Sequence, residues 1–448
     1  MHHGRIRRAM QEDYVRNREG HLEPITTSLT LQTGTSSSQR NNHYFGLTLF
    51  LVGLTCLIAT RANLPALSDV TAGLFIFTVL ISFLKQKIAV TRKTVYFAIG
   101  LLLLFAENQL FTVNTFDFKI YIKLFVLCIS VILWIQLTRS NFHIALRKIT
   151  VVLCALSLPF YIWQVLHISS LTSFVQSIHQ WMPWISAGRV HQDIDALNIL
   201  IYTVETKENF RNSGAFWEPG GFAAFLNLSL ALHLIQNRFV FDRHARLTIL
   251  TLMTTFSTTG YVVFFILLMF AMSNRMLSNI TPGILAIRLF LITALGLFFF
   301  YLFYAVPIFR DKIDTQISAQ QILISDIDFD NPNFGSLGRF GSMIVDLRSI
   351  QDRPLFGRGY SDSEFKAQFE NYNFTNGLTS FMGHFGLVGL AWLLYSTFSS
   401  GKSIFRQYNP EARFPAFLTV VVLTIAFSNP ILLTPLLLYF QLHFITTS

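Results

Sequence analysis

Apolar runs of about the length needed to cross a bilayer recur along this chain from Tyr44 to His443. Hydrocarbon offers no water to the backbone, so each such run must satisfy its N–H and C=O groups internally, which a helix does. The composition agrees, with 52% hydrophobic and 13% charged residues, far from the balance of a soluble globular domain. The fold class read from the sequence is therefore all-α, a polytopic membrane bundle of about 12 transmembrane helices.

The spans fall at roughly 44–60, 67–84, 95–113, 119–138, 149–169, 222–236, 247–257, 258–272, 288–306, 378–398, 415–428 and 430–444. Twelve crossings put both termini on one side. Short cytoplasmic loops collect Lys and Arg, and this drawing places 21 basic and six acidic residues on the side of the termini, against 13 basic and 18 acidic on the other. The stretch 247–272 would more naturally cross once at 1.5 Å per residue. A single crossing would flip everything after it and blur the charge separation, so a helix broken at Ser257-Thr258-Thr259-Gly260 is the better reading. There, hydroxyls and a glycine can line a buried cavity.

Residues 1–43 are polar, without the apolar core of a secretory signal, and read as a disordered cytoplasmic tail. Residues 44–444 then form one membrane domain, with no convincing internal repeat. Cys56, Cys128 and Cys154 fall inside spans, without the spacing of a metal site or redox pair, and read as small core residues. Two long loops, about 170–221 and 307–377, face away from the termini, and the chemistry is expected there.

In the first loop, Arg211 and Glu218 flank Asn212-Ser213-Gly214, and Glu218-Pro219-Gly220-Gly221 leads into an apolar run. Pro and Gly predict a helix starting just after the acid, which puts Glu218 near the positive end of the helix dipole. A loop-fixing salt bridge is the plain alternative; the glycines, Trp217 and the position at the membrane face favour a functional one. In the second loop, Gly338-Arg339-Phe340-Gly341 precedes a short amphipathic helix that ends at Arg353-Pro354. Arg339, Asp346 and Arg353 recur every seventh residue and lie near one face, with Arg348 and Arg358 close by. Guanidinium groups offer permanently charged, bidentate donors to phosphate oxygens, although a solvated face with its own ion pairs accounts for any one of them except Arg339.

Lys119 and Lys123 share a helix face at the outer end of the fourth span, where they either snorkel to the interface or hold an anionic lipid-linked group. Trp181, Trp184 and Trp217 lie in or beside the first loop, as an interfacial belt or as stacking surfaces for sugars. His191 and His384 have no partner at metal spacing, and no metal site is assigned. A Walker A loop, a dinucleotide fingerprint and a Ser or Cys triad signature are absent from the sequence, which argues against ATP-driven transport and hydrolase chemistry.

Three segments carry a resemblance to the bacterial O-antigen polymerases of the polymerase and ligase superfamily. They are Arg211 through Phe225, the broken span Thr255-Phe-Ser-Thr-Thr-Gly-Tyr261, and the block from Gly338-Arg339 through Pro354-Leu-Phe-Gly-Arg-Gly359 to Asn376-Gly377 and Gly386-Leu-Val-Gly389. The resemblance implies a glycosyltransferase of the bacterial inner membrane. Such an enzyme joins oligosaccharide repeat units carried on undecaprenyl pyrophosphate at the periplasmic face. By position Arg211 and Arg339 match the family's essential loop arginines. Glu218 is then a base for the acceptor hydroxyl or the group that orients an arginine. Lys119, Lys123, Trp217, Arg348, Arg353, Arg358 and Asn376 are candidate substrate contacts. The implied partners are the lipid-linked oligosaccharides, the bilayer, a chain-length regulator and a flippase, with no nucleic acid, metal or other cofactor. Ligases of the superfamily, which transfer glycan to lipid A core, place a His immediately before an Asn near the end of the second loop. Here Thr375 precedes Asn376, which favours polymerase over ligase. A lipid or glycan transporter would carry ionisable groups near the middle of several spans, whereas almost all charge here lies at span ends and in loops.

Overall fold

The computed structural model describes residues 14–16, 22–24, 35–59, 65–111, 118–138, 141–181, 196–199, 201–205, 210–276, 339–351, 353–359, 376–410, 415–429 and 431–446, with isolated positions at 294, 301 and 305. The chain divides into two units, 1–46 and 47–448. Within the segment expected to be a disordered tail, Tyr14–Arg16 (β1) pairs antiparallel with Leu22–Pro24 (β2), Val15 opposite Glu23. Helix α1, Thr35–Ala59, spans the boundary between the units.

The second unit is helical. In chain order it contains α2 (Pro65–Gln86), α3 (Arg92–Phe111), α4 (Phe118–Thr138), α5 (Phe142–Trp181), α6 (Pro219–Gln236), α7 (Arg243–Thr254), α8 (Thr258–Met276), α9 (Arg339–Ser349), α10 (Gly377–Tyr408), α11 (Ala416–Ser428) and α12 (Pro435–Leu442). A 3-10 turn, His443–Thr446, closes the described chain. A helix occupies each expected span except 288–306, nearly all of which lies outside the described residues. Among the described residues three helices are long and apolar enough to cross a membrane: Lys119–Thr138 within α4, with mean hydropathy 2.3, α5 with 2.0 and α10 with 1.4. Phe77, Leu84, Leu103 and Leu166 point outward from α2, α3 and α5, more than 60% exposed, which suits a surface covered by hydrocarbon rather than water. Inside, Trp134 meets Phe75, Phe142 and Tyr439 edge-on, and Phe142 stacks on Tyr439 at 3.6 Å. Cys56, Cys128 and Cys154 are all buried and unbridged.

Three departures from the expected pattern shape the end of the bundle near Arg211 and Arg339. First, α5 continues through Trp181, so the first long loop starts later than 170. The helix turns at His167 (φ −145°, ψ 61°), and its apolar positions Leu171 and Val175 pack on Tyr202, Val204 and Ile199 in a small second core. There Ala196–Asn198 (β3) pairs antiparallel with Thr203–Glu205 (β4). Second, the break between α7 and α8 lies at Thr255–Ser257, slightly before the expected place, with Phe256 at φ +46°. Hydroxyls there cap helix ends: Thr255 Oγ1 donates to Leu252 O at 2.7 Å, and Ser257 Oγ accepts from Gly260 N at 3.2 Å.

Third, α10 is broken at Gly386, whose φ of +63° only glycine adopts without strain. Loop 353–359 lies across the break and satisfies the groups it frees. Arg358 N donates to Gly383 O at 2.9 Å, Gly359 N to His384 O at 3.1 Å, Leu387 N to Pro354 O at 2.9 Å, and Val388 N to Leu355 O at 2.9 Å.

A buried ion pair pins that loop. Arg358 Nη2 lies 3.0 Å from Asp346 Oδ1 of α9, Thr379 Oγ1 donates to Asp346 Oδ2 at 2.8 Å, and Arg358 Nη1 donates to Ser349 Oγ. Burial pushes the Asp346 carboxyl above its ordinary range, against the pull of Arg358 and Thr379. An acid held above its unfolded value favours the folded state most at low pH, and that contribution fades as pH rises past the folded value. Arg358→Met should destabilise the protein by about 3–5 kcal/mol, because it leaves a buried carboxylate alone. Its melting midpoint should also fall more steeply than the wild type's as pH rises from the carboxylate range toward neutrality. Thermal unfolding in detergent checks both, and Asp346→Asn added to Arg358→Met should recover part of the loss.

Candidate active site

Loop 210–218 is fixed from three sides before it reaches α6. Gln164 Nε2 of α5 donates to Arg211 O at 3.0 Å, and Tyr161 OH donates to Phe210 O at 3.1 Å. From β4, Glu205 Oε1 accepts from Ser213 Oγ at 2.8 Å, and Thr203 N donates to Gly214 O at 2.6 Å. At the end of α7, Asn212 N donates to Thr254 O at 3.0 Å and Asn212 Nδ2 to Thr254 Oγ1 at 2.8 Å. Gly214 closes the turn at φ +52°, with the Phe222 ring where a Cβ would stand. Asn212 and Ser213 are fully buried.

The helix expected just after the acid starts there: Pro219 is the first residue of α6, and Glu218 is its extended N-cap. The Glu218 side chain makes no capping hydrogen bond. Its Oε1 lies 3.2 Å from the point a Cβ on Gly220 would occupy, and Arg339 Nη2 lies 3.6 Å from the same point. The guanidinium of Arg339, from the other long loop, therefore shares this surface with Glu218. Arg211 lies within Coulombic reach of the Tyr261 hydroxyl in the first turn of α8.

Arg339 is held on several sides. Its Nε donates to Ser428 O at the end of α11 at 3.1 Å, and its Nη1 to Thr259 Oγ1 in the first turn of α8 at 3.4 Å. Asn376 Nδ2 donates to Arg339 O at 3.4 Å, while its Oδ1 caps α10 by accepting from Leu378 N and Thr379 N at 3.2 and 3.1 Å. Arg339 is itself the first residue of α9. The guanidinium thus lies against the starts of α6 and α8, while the starts of α9 and α10 meet at the backbone of Arg339. Each helix N-terminus carries a partial positive charge, so the four add to Arg339 as an anion-attracting end, with Asn376 and Ser257 accepting from the first N–H groups of α10 and α8. The negative end of α11 meets Arg339 at Ser428 O. Close packing makes the meeting tight: Asn227 Nδ2 of α6 donates to Gly260 O of α8 at 2.9 Å, and a Cβ on Gly260 would stand 2.6 Å from that of Ala223.

The other sequence-derived candidates are dispersed. Trp217 is 9% exposed, its ring lying over Gly221. That makes it a wall of the loop rather than an open stacking surface. Arg358 is 4% exposed and engaged with Asp346. Arg348 is exposed on α9, and Arg353 is half-buried in the following loop. Asp346 turns inward and does not share an open face with Arg339 and Arg353. Lys119 and Lys123 are exposed near the start of α4. That helix packs on α2, α3 and α12, and none of Glu218, Thr259, Arg339 or Ser428 lies on those. Trp184, His191 and Thr375 fall outside the described residues.

Sequence reasoning missed Thr259 and Ser428 as the partners of Arg339. Thr259 lay in the flagged break, and Ser428-Asn429-Pro430 carries a chain-breaking signal that could have marked the second. Among the described residues no group of three His, Cys, Asp or Glu side chains converges. No protein-family model, curated protein or solved structure matches this chain.

Replacing Gly214 tests whether the loop is as constrained as this geometry implies. Gly214→Ala places a Cβ at positive φ and within 2.8 Å of the Phe222 ring. It should lower stability by at least about 1–3 kcal/mol, and Phe222→Leu should relieve part of that. Melting midpoints of the two single variants and the double variant measure the coupling.

Proposed function

We propose that this protein is a glycan polymerase of the bacterial inner membrane. It transfers a growing chain from undecaprenyl pyrophosphate onto the next lipid-linked repeat unit at the periplasmic face, with both termini in the cytoplasm. The observation that carries this reading is the meeting of four helix N-termini with Arg339, beside a carboxylate that makes no capping bond. A sugar on a pyrophosphate already has a good leaving group. The reaction needs fixed positive charge where the pyrophosphate departs, and a carboxylate near the attacking hydroxyl.

In the step proposed, the acceptor hydroxyl oxygen bonds to the anomeric carbon of the donor as the bond from that carbon to the pyrophosphate oxygen breaks. The hydroxyl proton passes to Glu218, and the departing charge is taken up by Arg339 and the adjoining helix starts. Arg211, held beside α8 by a buried loop, supplies a second cation along the same phosphate path. Direct displacement inverts the anomeric centre. Fixed donors in a water-poor site are worth more than the same groups in water, because nothing needs to reorganise as charge develops. Ser428 O and Thr259 hold the guanidinium, so its planar fork is pre-set and a lysine would not replace it.

Complementation of a deletion strain, read on a glycan gel, tests this. Arg339→Ala and Glu218→Gln should each reduce polymerisation about 100-fold or more, leaving lipid A core with a single repeat unit. Arg339→Lys should restore only short chains. Full-length ladders from Arg339→Ala would overturn the site. Loss of all surface glycan, including single units, on deletion would point instead to ligation or translocation.

A further inference from the structure

At the end of α10 remote from Asn376 there is a second polar site, which the chemistry above does not use. A cavity of about 570 Å³ is lined there by Lys93 at the start of α3, Ser399, Lys402, Arg406 and Gln407 on α10, and His443 in the 3-10 turn. Its walls carry three cations and no carboxylate. Lys402 and Arg406 are four apart and share a helix face, both exposed, and Lys93 is exposed opposite them. His443 Nδ1 lies 2.9 Å from Ser403 Oγ, which ties the turn to α10 and fixes the floor.

Directly along the same helices lies a second cavity, of about 470 Å³, with almost wholly apolar walls between α3, α4, α10 and α12. It is an open groove that runs from Tyr96 through Gly100 and Leu103 to Glu107 along α3, with Phe356 and Phe385 also in its lining. The two cavities adjoin at an aromatic step. Phe97 and Trp392 line the apolar cavity 5.6 Å apart, and Trp392 lies 6.2 Å from Phe444, which lines the basic one. Charge orients anything that fills both. The cations stand at one end, while toward the other end lies the carboxyl of the half-buried Glu107, whose oxygens have no hydrogen-bond partner among the described residues.

We propose that the two cavities together form a binding site for an anionic phospholipid. Its phosphate headgroup lies among Lys93, Lys402 and Arg406, and one acyl chain runs along α3 toward Phe356. A basic recess between helices at a membrane surface is what an anionic headgroup recognises. The adjoining apolar cavity supplies the burial that a soluble phosphate would not use. Glu107, whether ionised or protonated, offers no cation to a phosphate, so the lipid enters headgroup toward Lys93 and not reversed. The site is at the end of α10 remote from the Arg339 cluster, and it stands whether or not that cluster polymerises glycan.

The test is lipid-dependent melting of the full-length protein in detergent, with phosphatidylglycerol, phosphatidylcholine or glycerol 1-phosphate added, and native mass spectrometry to count bound lipid. Phosphatidylglycerol should raise the midpoint and remain bound where phosphatidylcholine does not. The variant Lys93→Gln/Lys402→Gln/Arg406→Gln, altered only at exposed positions, should melt normally without lipid and bind phosphatidylglycerol about 100-fold more weakly, at roughly 1 kcal/mol per cation. Gly100 lines the apolar cavity, and a Cβ on it would meet no atom within 4 Å. Gly100→Phe should therefore weaken phosphatidylglycerol without touching the cations. Equal binding of the two lipids, or full binding by the triple variant, would overturn the proposal. Protection by glycerol 1-phosphate equal to that by the lipid, or a Gly100→Phe variant that binds as wild type, would assign the basic cavity to a free phosphate and overturn the lipid assignment.

Discussion

A helix that begins inside a bundle leaves its first amide N–H groups without partners, and in a membrane no water reaches them. This chain gathers four helix beginnings in one place around Arg339, and caps two of them with Asn376 and Ser257. The concentration of donors and positive dipole is costly to leave uncompensated. The carbonyl end of α11 and the carboxylate of Glu218 provide the nearby negative charge. Other features at this end of the bundle serve to hold the arrangement. Asn212 is tied to Thr254 at the end of α7, Asn227 bridges α6 to the start of α8, and Asn376 joins the cap of α10 to the backbone of Arg339. Each is an asparagine whose amide spans two elements that a hydrophobic contact alone would allow to slide.

Much of the helical framework was legible in the sequence, because an apolar run of span length has few alternatives to a helix. The start of α6 was legible for a local reason: Glu218-Pro219-Gly220-Gly221 is helix-start chemistry, and Pro219 is where the helix begins. The break between α7 and α8 was visible as Ser, Thr and Gly inside an apolar run. Its position shifted because Ser257 serves as a cap, and a cap precedes its helix. The extension of α5 to Trp181 and the break of α10 at Gly386 were not legible. The first depends on a small core built with β3 and β4, and the second on a loop from another part of the chain that satisfies the freed backbone groups.

The arginines show the limit more sharply. Arg339 and Arg358 look alike in sequence, each beside a glycine in the same loop. Arg358 is 4% exposed with a carboxylate at 3.0 Å, whereas Arg339 donates to a backbone carbonyl and a threonine hydroxyl. What separates them is the fate of one acid. Spacing by sevens put Asp346 on a face with Arg339 and Arg353, but α9 turns that face inward, and Asp346 takes Arg358 as its counter-ion. Periodicity identifies which residues share a face; what the face meets is decided by distant chain, here Thr379 of α10.

The same ion pair also relates the two ends of the molecule. Loop 353–359 supplies Phe356 to the wall of the apolar cavity, lies across the break in α10, and is pinned through Arg358 to Asp346 of α9, the helix that Arg339 begins. Contiguity of this kind is not coupling, which needs an element with two arrangements that both ends bias. It does restrict where such an element would lie. Pro354 and Leu355 are held by backbone bonds to α10, and Arg339 is held on several sides. The side-chain tie between the cavity wall and α9 runs through Asp346 and Arg358, so any signal along this route must alter a buried, desolvated ion pair. Such pairs resist small displacements because their desolvation is offset only at close range. The geometry therefore favours a loop that acts as a fixed strut.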